Sequence, residues 1–408
     1  MIVLAGGDLV LPDRILTNAS LVVDGGRIVA VEPAPRVDPA GADVIDVRDC
    51  YVVPGFIDVH VHGVEGYDTL DDGEPIAGIA SRLPRFGVTA FCPTTVACPP
   101  AQLRAVLEQV TRARVTRPPR SARVLPAHLE SNFINPEYRG AQPADCLRMP
   151  GAVVGAGRRA GLHGPPEASG DFSASDILDV IASARPDVGI VTLASELPGG
   201  LDLVRALVAA GHRVSLGHSG ATFDEAMAAI DAGARHATHL FNRMTPMTHR
   251  EPGLPGAVLA SEGIAAELIC DGHHVHPAMA RVAIASKGVR GVMAITDGTG
   301  GAGLQVGARA RLGGRDIRVT DRGARLDDGT LAGSTLTMDG AFRTVVTAFG
   351  LSVADAAALC STTPARELGL VGFGVLAPGH LADIAVLSRD FRVVRTFIDG
   401  AQVWGQTP

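Results

Sequence analysis

His60, His62, Glu130, His218, His239 and Asp297 are the side chains of this 408-residue sequence whose types and spacing could do chemistry together. His60 and His62 form an H-x-H pair in FIDVHVH. Strand side chains alternate faces, so both imidazoles would point the same way and could share a cation. An H-x-H alone is a common accident. His218 in LGHSG and His239 in ATHLF close two further apolar runs, and coincidence at three separate run ends is a poor account. Neutral imidazoles joined by an anionic oxygen suit divalent zinc, iron, manganese or cobalt. Glu130, which ends RVLPAHLE, supplies that oxygen. Asp297, in AITDGT, is placed as a general base that takes a proton from metal-activated water and returns it to a leaving nitrogen. A turn or helix N-cap before Gly298 is the plainer alternative for Asp297.

Eight short apolar runs must position these groups: FIDVHVH, VTAFCPTT, RVLPAHLE, GIVTLASE, RVSLGHS, RHATHLF, AAELICDG and GVMAITDG. Helix-like stretches such as AQLRAVLEQVTRA, GGLDLVRALVAAG, TFDEAMAAIDAG and HPAMARVAIASKG separate most of them. Buried strands alternating with amphipathic helices predict a parallel sheet covered by helices. Eight such units predict an α/β fold of the (β/α)8 barrel type, and all six candidate residues then gather on the face formed by the strand C-termini. Residues 1–53 and 369–408 differ. Their period-two runs broken by Asp-Gly, Gly-Gly and Pro read as hairpins, predicting a small β-sandwich domain built from both termini around a barrel at 54–368.

The hydrophobic fraction of 46% supports a large core, and the net charge of −7 has no long basic run. Nucleic acid and membrane surfaces are therefore not expected partners. Six cysteines without a CxxC pair predict reduced thiols, neither a disulfide framework nor a zinc ribbon. MIVLAGGDLVLPDR lacks the charged start of a signal peptide, and no run has the length of a membrane span, so a cytoplasmic location is expected.

The segments PGFIDVHVHG, HLE…FINPEYRGAQ, LGHSGAT, ATHLFNRM, HREPGLPGAVL, ICDGHHVHP, TDGT, LAGSTLTMDGA and LAPGHLADI resemble, in order and spacing, the N-acetylglucosamine-6-phosphate deacetylase family of the amidohydrolase superfamily. The resemblance covers nearly the whole chain. Many superfamily members bridge two metals with a carboxylated lysine at the fourth strand. The single lysine here, Lys287, follows both later histidines, which leaves Glu130 for that role. The resemblance implies that Glu130, His218 and His239 hold one well-occupied ion, most naturally zinc. His60 and His62 allow a second ion sharing Glu130. It implies Asp297 as acid and base, and His274 in DGHHVHP beside the scissile acetamide, polarising its carbonyl. It implies Arg250 on the sugar phosphate, in some relatives across a subunit interface, and hence a homodimer or homotetramer. Asn242 would bind sugar hydroxyls or phosphate, and the turn containing Ser334 and Leu336 would line the sugar pocket. His273 and His276 read as loop or capping histidines.

The implied reaction removes the acetyl group from an N-acetyl amino sugar 6-phosphate, first of all N-acetylglucosamine 6-phosphate, in amino sugar catabolism or cell-wall recycling. N-acetylgalactosamine 6-phosphate, an unphosphorylated N-acetyl sugar, or a deamination are the alternatives, and a metal-free scaffold is the non-enzymatic one. Three departures bear on the sugar: Ser131-Asn132 where the family has Gly-Pro, Arg243 where it has a small residue, and Gln142 where many members have histidine. All three are expected to line or flank the sugar site, Arg243 as a second anion contact.

Overall fold

The computed structural model describes residues 1–34, 41–151 and 171–405. The eight apolar runs form strands β1 (Phe56–Val61), β2 (Val88–Thr95), β3 (Ala127–Glu130), β4 (Val188–Leu193), β5 (Arg213–Leu216), β6 (His236–Ala237), β7 (Ala265–Ile269) and β8 (Val292–Ile295). Each pairs in parallel with the next. The ring closes just past the strand ends: Val61 bridges Gly298, and the Asp297 N–H donates to the His60 carbonyl at 2.9 Å. The strands are buried on both faces because they fill two shells. Ile57, Val59, Ala90, Ile190, Met293 and Ile295 form the barrel interior. Their alternates pack outward against helices, among them Pro100–Val115, Gly200–Ala209, Phe223–Asp231 and Pro277–Lys287.

Helix starts follow local chemistry. Thr222 caps Phe223–Asp231 through a reciprocal box with Glu225, and Ser173 does the same for Ala174–Ser183 with Asp176. Each box satisfies backbone donors that the helix cannot pair internally.

Both termini build a second, eight-stranded sheet from 2–10, 15–24, 27–32, 43–46, 51–54, 384–387, 393–398 and 401–405. Ile28, from one end of its strand order, shares an apolar cluster with Leu4, Leu21, Ile384 and Phe397. The Ile28 N–H also donates to the His380 carbonyl at 2.9 Å. The sheet thus folds over onto itself, and the expected barrel with a small terminal β unit is what the chain forms. One element was not anticipated. Arg309–Leu312, Arg315–Thr320 and Gly323–Arg325 make a three-stranded antiparallel sheet after β8. Its alternating RARL and RDIRVT pattern was a legible signal. Among the described residues no helix is long and apolar enough to cross a membrane.

Beneath the strand-end face, Thr296 ties β8 to β1 by donating its hydroxyl to Asp58 Oδ2 at 2.5 Å. Burial pushes the Asp58 carboxyl up to about 7, against the hydrogen bonds from Thr296 and His60. Thr296→Val keeps the shape and removes the donor, so it should lower stability by about 1–3 kcal/mol, read as a lower urea midpoint at unchanged slope.

Candidate metal centre

Glu130 sits at the C-terminal end of β3 with its carboxylate between two pairs of imidazoles. On one side, Oε1 lies 2.8 Å from His218 Nε2 and 2.8 Å from His239 Nε2. On the other, Oε2 lies 3.4 Å from His62 Nε2, and Oε1 lies 3.8 Å from His60 Nε2. Asp297 Oδ1 covers the second pair, 3.3 Å from His62 and 3.5 Å from His60. Two triads of potential ligands result, Glu130–His218–His239 and His60–His62–Asp297, all buried.

Backbone strain aims three of these groups. His218, His239 and Asp297 have φ of 48°, 33° and 47°, the left-handed region that side chains with a Cβ disfavour. Each turns the chain sharply as its strand ends. The Asp297 turn is held from beneath: the Ser334 N–H donates to the Asp297 carbonyl at 2.7 Å, and Ser334 Oγ donates to the Thr296 carbonyl at 2.5 Å. Gly333 makes room for this contact, because a Cβ there would lie 2.8 Å from the Asp297 carbonyl oxygen.

The donor chemistry fits a divalent cation. His218 Nδ1 is 2.8 Å from the Tyr138 carbonyl and can only donate there. With no second proton on the ring, Nε2 presents a lone pair towards Glu130 and towards His239 Nε2 at 3.1 Å. His62 repeats this, with Nδ1 on the Thr94 carbonyl and Nε2 facing His60 Nε2 at 3.2 Å. Lone pairs turned on one another and on a carboxylate are repulsive unless a positive charge lies among them. Nitrogens sharing a tetrahedral ion at about 2.0–2.1 Å would stand roughly 3.3 Å apart, close to both spacings.

The proton equilibria express the same demand. Burial lowers His60 to about 4, against the pull of Asp297 and Glu130. Burial also opposes charge on His62, yet hydrogen bonds to Asp297 and Glu130 hold it at about 10. Despite burial, Glu130 lies well below the usual carboxylate range because of His218, and Asp297 is lowered by His60 and His62. Two ionised carboxylates thus recruit a cation, either a proton on His62 or a metal.

A polar layer under the centre, missed from sequence, orients these ligands. Glu267 on β7 is fully buried, and its Oε2 lies 2.9 Å from His60 Nδ1. His128, two residues before Glu130, donates from Nδ1 to the Val59 carbonyl at 2.9 Å and meets Thr192 Oγ1 at 2.7 Å. The chain continues through Thr238 to Ser215. HLE carried a signal for His128, since period two puts it on the Glu130 face. Glu267, as a lone carboxylate inside AAELI, carried one as well.

Above the ligands opens a cavity of about 470 Å³, lined by His62, Glu130, His218, His239 and Asp297 and by Tyr138, Gln142, Asn242, Arg243 and His274. Gln142 donates to Glu130 Oε2 and accepts from the Ala97 N–H. His274 is held by Asp271, Nδ1 to Oδ2 at 2.6 Å. Arg243 has no hydrogen bond or ion pair from its guanidinium among the described residues. Leu312 and Leu331, from the unanticipated hairpin region, add apolar walls.

Several sequence expectations fall elsewhere. Arg250 is exposed and outside the lining. Ser334 is fully buried on the Thr296 carbonyl and Leu336 packs into the core, so neither lines the cavity. Ser131 and Asn132 do not line it either: Ser131 Oγ donates to the Thr192 carbonyl at 2.5 Å, and Asn132 Nδ2 donates to the Cys98 and Cys146 carbonyls. Both side chains are therefore spent on internal hydrogen bonds. By contrast, His273 and His276 are the loop and capping histidines read from sequence, the first exposed and the second capping Pro277–Lys287, and Lys287 bonds the Ser261 carbonyl away from the centre.

Comparison with known proteins agrees with this geometry. The Amidohydrolase family profile matches residues 201–403. An N-acetylglucosamine-6-phosphate deacetylase of Rattus norvegicus is 37% identical, over 98% of this chain and 94% of its own. An N-acetylgalactosamine-6-phosphate deacetylase of Escherichia coli O157:H7 is 34% identical over 94% of each. Among solved structures, a mutant N-acetyl-D-glucosamine-6-phosphate deacetylase of Mycobacterium smegmatis in complex with N-acetyl-D-glucosamine-6-phosphate superposes with a TM-score of 0.85 at 31% identity, covering 98% of this chain and 99% of that one.

Two outcomes test the centre. Glu267→Gln should leave the fold intact and weaken metal binding by about 10–100-fold, measured as metal content after dialysis against a graded chelator. For the metal-stripped protein the sign follows from His62. Its folded value near 10 exceeds the unfolded value near 6.5, so its contribution is complete below pH 6.5 and is lost as pH rises towards 10. The melting temperature should therefore fall between pH 7 and 9 after stripping, and should stay flat in the metal-loaded protein.

Proposed function

The chain belongs to the N-acetylglucosamine-6-phosphate deacetylase family, and on that premise we propose that it hydrolyses the acetamide of N-acetylglucosamine 6-phosphate, releasing acetate and the amino sugar phosphate. The observation that carries this reading is Glu130 shared between two imidazole pairs, with Asp297 above one of them and a cavity opening over both. The family's amidohydrolase chemistry uses a divalent metal, and Glu130, His218 and His239, with His60 and His62 beside them, would hold it. Zinc suits this donor set. Bound there, the ion supplies Lewis acidity that polarises an acyl oxygen and makes water easier to deprotonate.

The remaining work belongs to side chains of this chain. Asp297, ionised and aimed into the cavity by its strained turn, accepts the proton from water as oxygen adds to the acetamide carbon. The same carboxyl then returns that proton to the nitrogen as the C–N bond breaks. His274, fixed through Nδ1 by Asp271, turns Nε2 to the acyl oxygen. Asn242 and Gln142 bind sugar hydroxyls from the lining, and Arg243 offers a planar fork to the 6-phosphate. Arg250, exposed and unpaired among the described residues, serves the cavity of a neighbouring copy in a homodimer. The reaction is a cytoplasmic step of amino sugar breakdown or cell-wall recycling. N-acetylgalactosamine 6-phosphate is a second reading, favoured by the E. coli relative.

Acetate release from N-acetylglucosamine 6-phosphate, N-acetylgalactosamine 6-phosphate and unphosphorylated N-acetylglucosamine decides among the substrates, and the first should be fastest. Asp297→Asn should lower kcat by about 10²–10⁴ while retaining metal. Arg243→Met should raise KM for the phosphorylated sugar about tenfold and leave the unphosphorylated one unchanged. Equal KM changes for both sugars would remove the phosphate from Arg243.

A further inference from the structure

A second cavity, of about 350 Å³, lies at the other end of the barrel from the metal centre. Four guanidinium groups reach it: Arg114 and Arg117 from the helix that follows β2 and its end, Arg123 just before β3, and Arg213, the first residue of β5. No carboxylate lines it among the described residues. Its floor is apolar, made by Cys92, Leu125, Pro126, Leu368 and Leu370.

The charges around it do not cancel. Arg114 pairs with Asp187, Arg117 lies 2.9 Å from Asp399, and Arg123 is bound by both Asp383 and Asp399. Three carboxylates therefore face four guanidinium groups. Arg213 is the surplus: its Nε donates to the Glu367 carbonyl at 2.8 Å, and neither Nη has a partner among the described residues. The Glu367 carboxylate is taken by Arg366 and lies 3.9 Å from His236 Nε2. Burial first, and then the Arg213 charge, lower His236 to about 3, so that charge is felt locally. Arg213 is half-buried, and its forked donors open to the cavity beside an apolar floor, where an occupant can take the place of water.

We infer that this cavity binds a small phosphate monoester, the phosphate held by Arg213 with Arg117 and Arg123 at the rim and the organic body resting on Leu125, Pro126 and Leu370. Guanidinium forks match phosphate oxygens in pairs, and the volume exceeds what an inorganic ion fills. Arg123 lies seven residues before Glu130, and Arg213 five before His218, so an occupant would clamp the starts of the two strands whose ends carry metal ligands.

Calorimetric titration of the metal-loaded enzyme with phenyl phosphate and with inorganic phosphate tests this. Phenyl phosphate should bind more tightly than inorganic phosphate. Its affinity should fall at least about tenfold in Arg213→Met and persist in Arg243→Met, whose change lies in the catalytic cavity. If Arg213→Met does not fold, Arg117→Gln at the rim should weaken binding several-fold instead. Binding lost in Arg243→Met but kept in Arg213→Met, or no heat from either anion at millimolar concentration, would overturn the site. Equal affinity for the two anions would overturn the organic occupant.

Discussion

The fold is arranged around a single buried carboxylate that cannot be left alone. Taking Glu130 out of water is expensive, and neutral rings at His218 and His62 do not repay that as hydrogen-bond donors, because their one proton, on Nδ1, is spent on a backbone carbonyl. Their Nε2 lone pairs then face the carboxylate and one another. Only a cation among them makes the arrangement stable. The ligand shell, its polar underlayer and its strained turns all follow from that requirement.

The underlayer explains why these rings cannot relax. His60 is fixed by Glu267 from β7, while His128 joins β1 to β4 through Val59 and Thr192. The Thr192–Thr238–Ser215 hydroxyl chain then spans β4, β6 and β5. Strain at His218, His239 and Asp297, of about 1–3 kcal/mol each, persists because neighbouring structure overrides it. Ser334 does this at Asp297, which gives its turn a mechanical role.

Continuous apolar runs made the barrel legible, since only strands buried on both faces read that way. The convergence of the candidate ligands was legible because each sits at the end of such a run, and a barrel sends all those ends to one face. What sequence concealed was direction. Ser131, Asn132, Ser334 and Leu336 stand near the site along the chain yet turn inward, and one-residue alternation decides that. Glu267 differs: a carboxylate within an apolar strand signals a buried role, but its partner, 207 residues away, is visible only in the fold. The hairpin sheet after β8 had its signal in the alternation of RARL and RDIRVT, but the runs are short and rich in arginine, so they did not stand out as the continuous apolar runs did.

Gln142 sharpens the relation between the two halves of the centre. Its amide donates to Glu130 Oε2, the oxygen that faces His62, and is itself locked by the Ala97 N–H. Oε1, which faces His218 and His239, has imidazole nitrogens at 2.8 Å and no amide donor among the described residues. A hydrogen bond draws electron density from the oxygen that accepts it and occupies one of its lone pairs, so the two carboxylate oxygens are unequal as ligands. The His218–His239 side has the stronger oxygen donor, and the His60–His62 side has two charged neighbours, Glu130 and Asp297, to compensate. A cation bound beside His218 and His239 depends on ligand strength, and one beside His60 and His62 depends on the ionisation of Asp297. The group proposed as the base is therefore also the group whose charge governs occupancy of the second position.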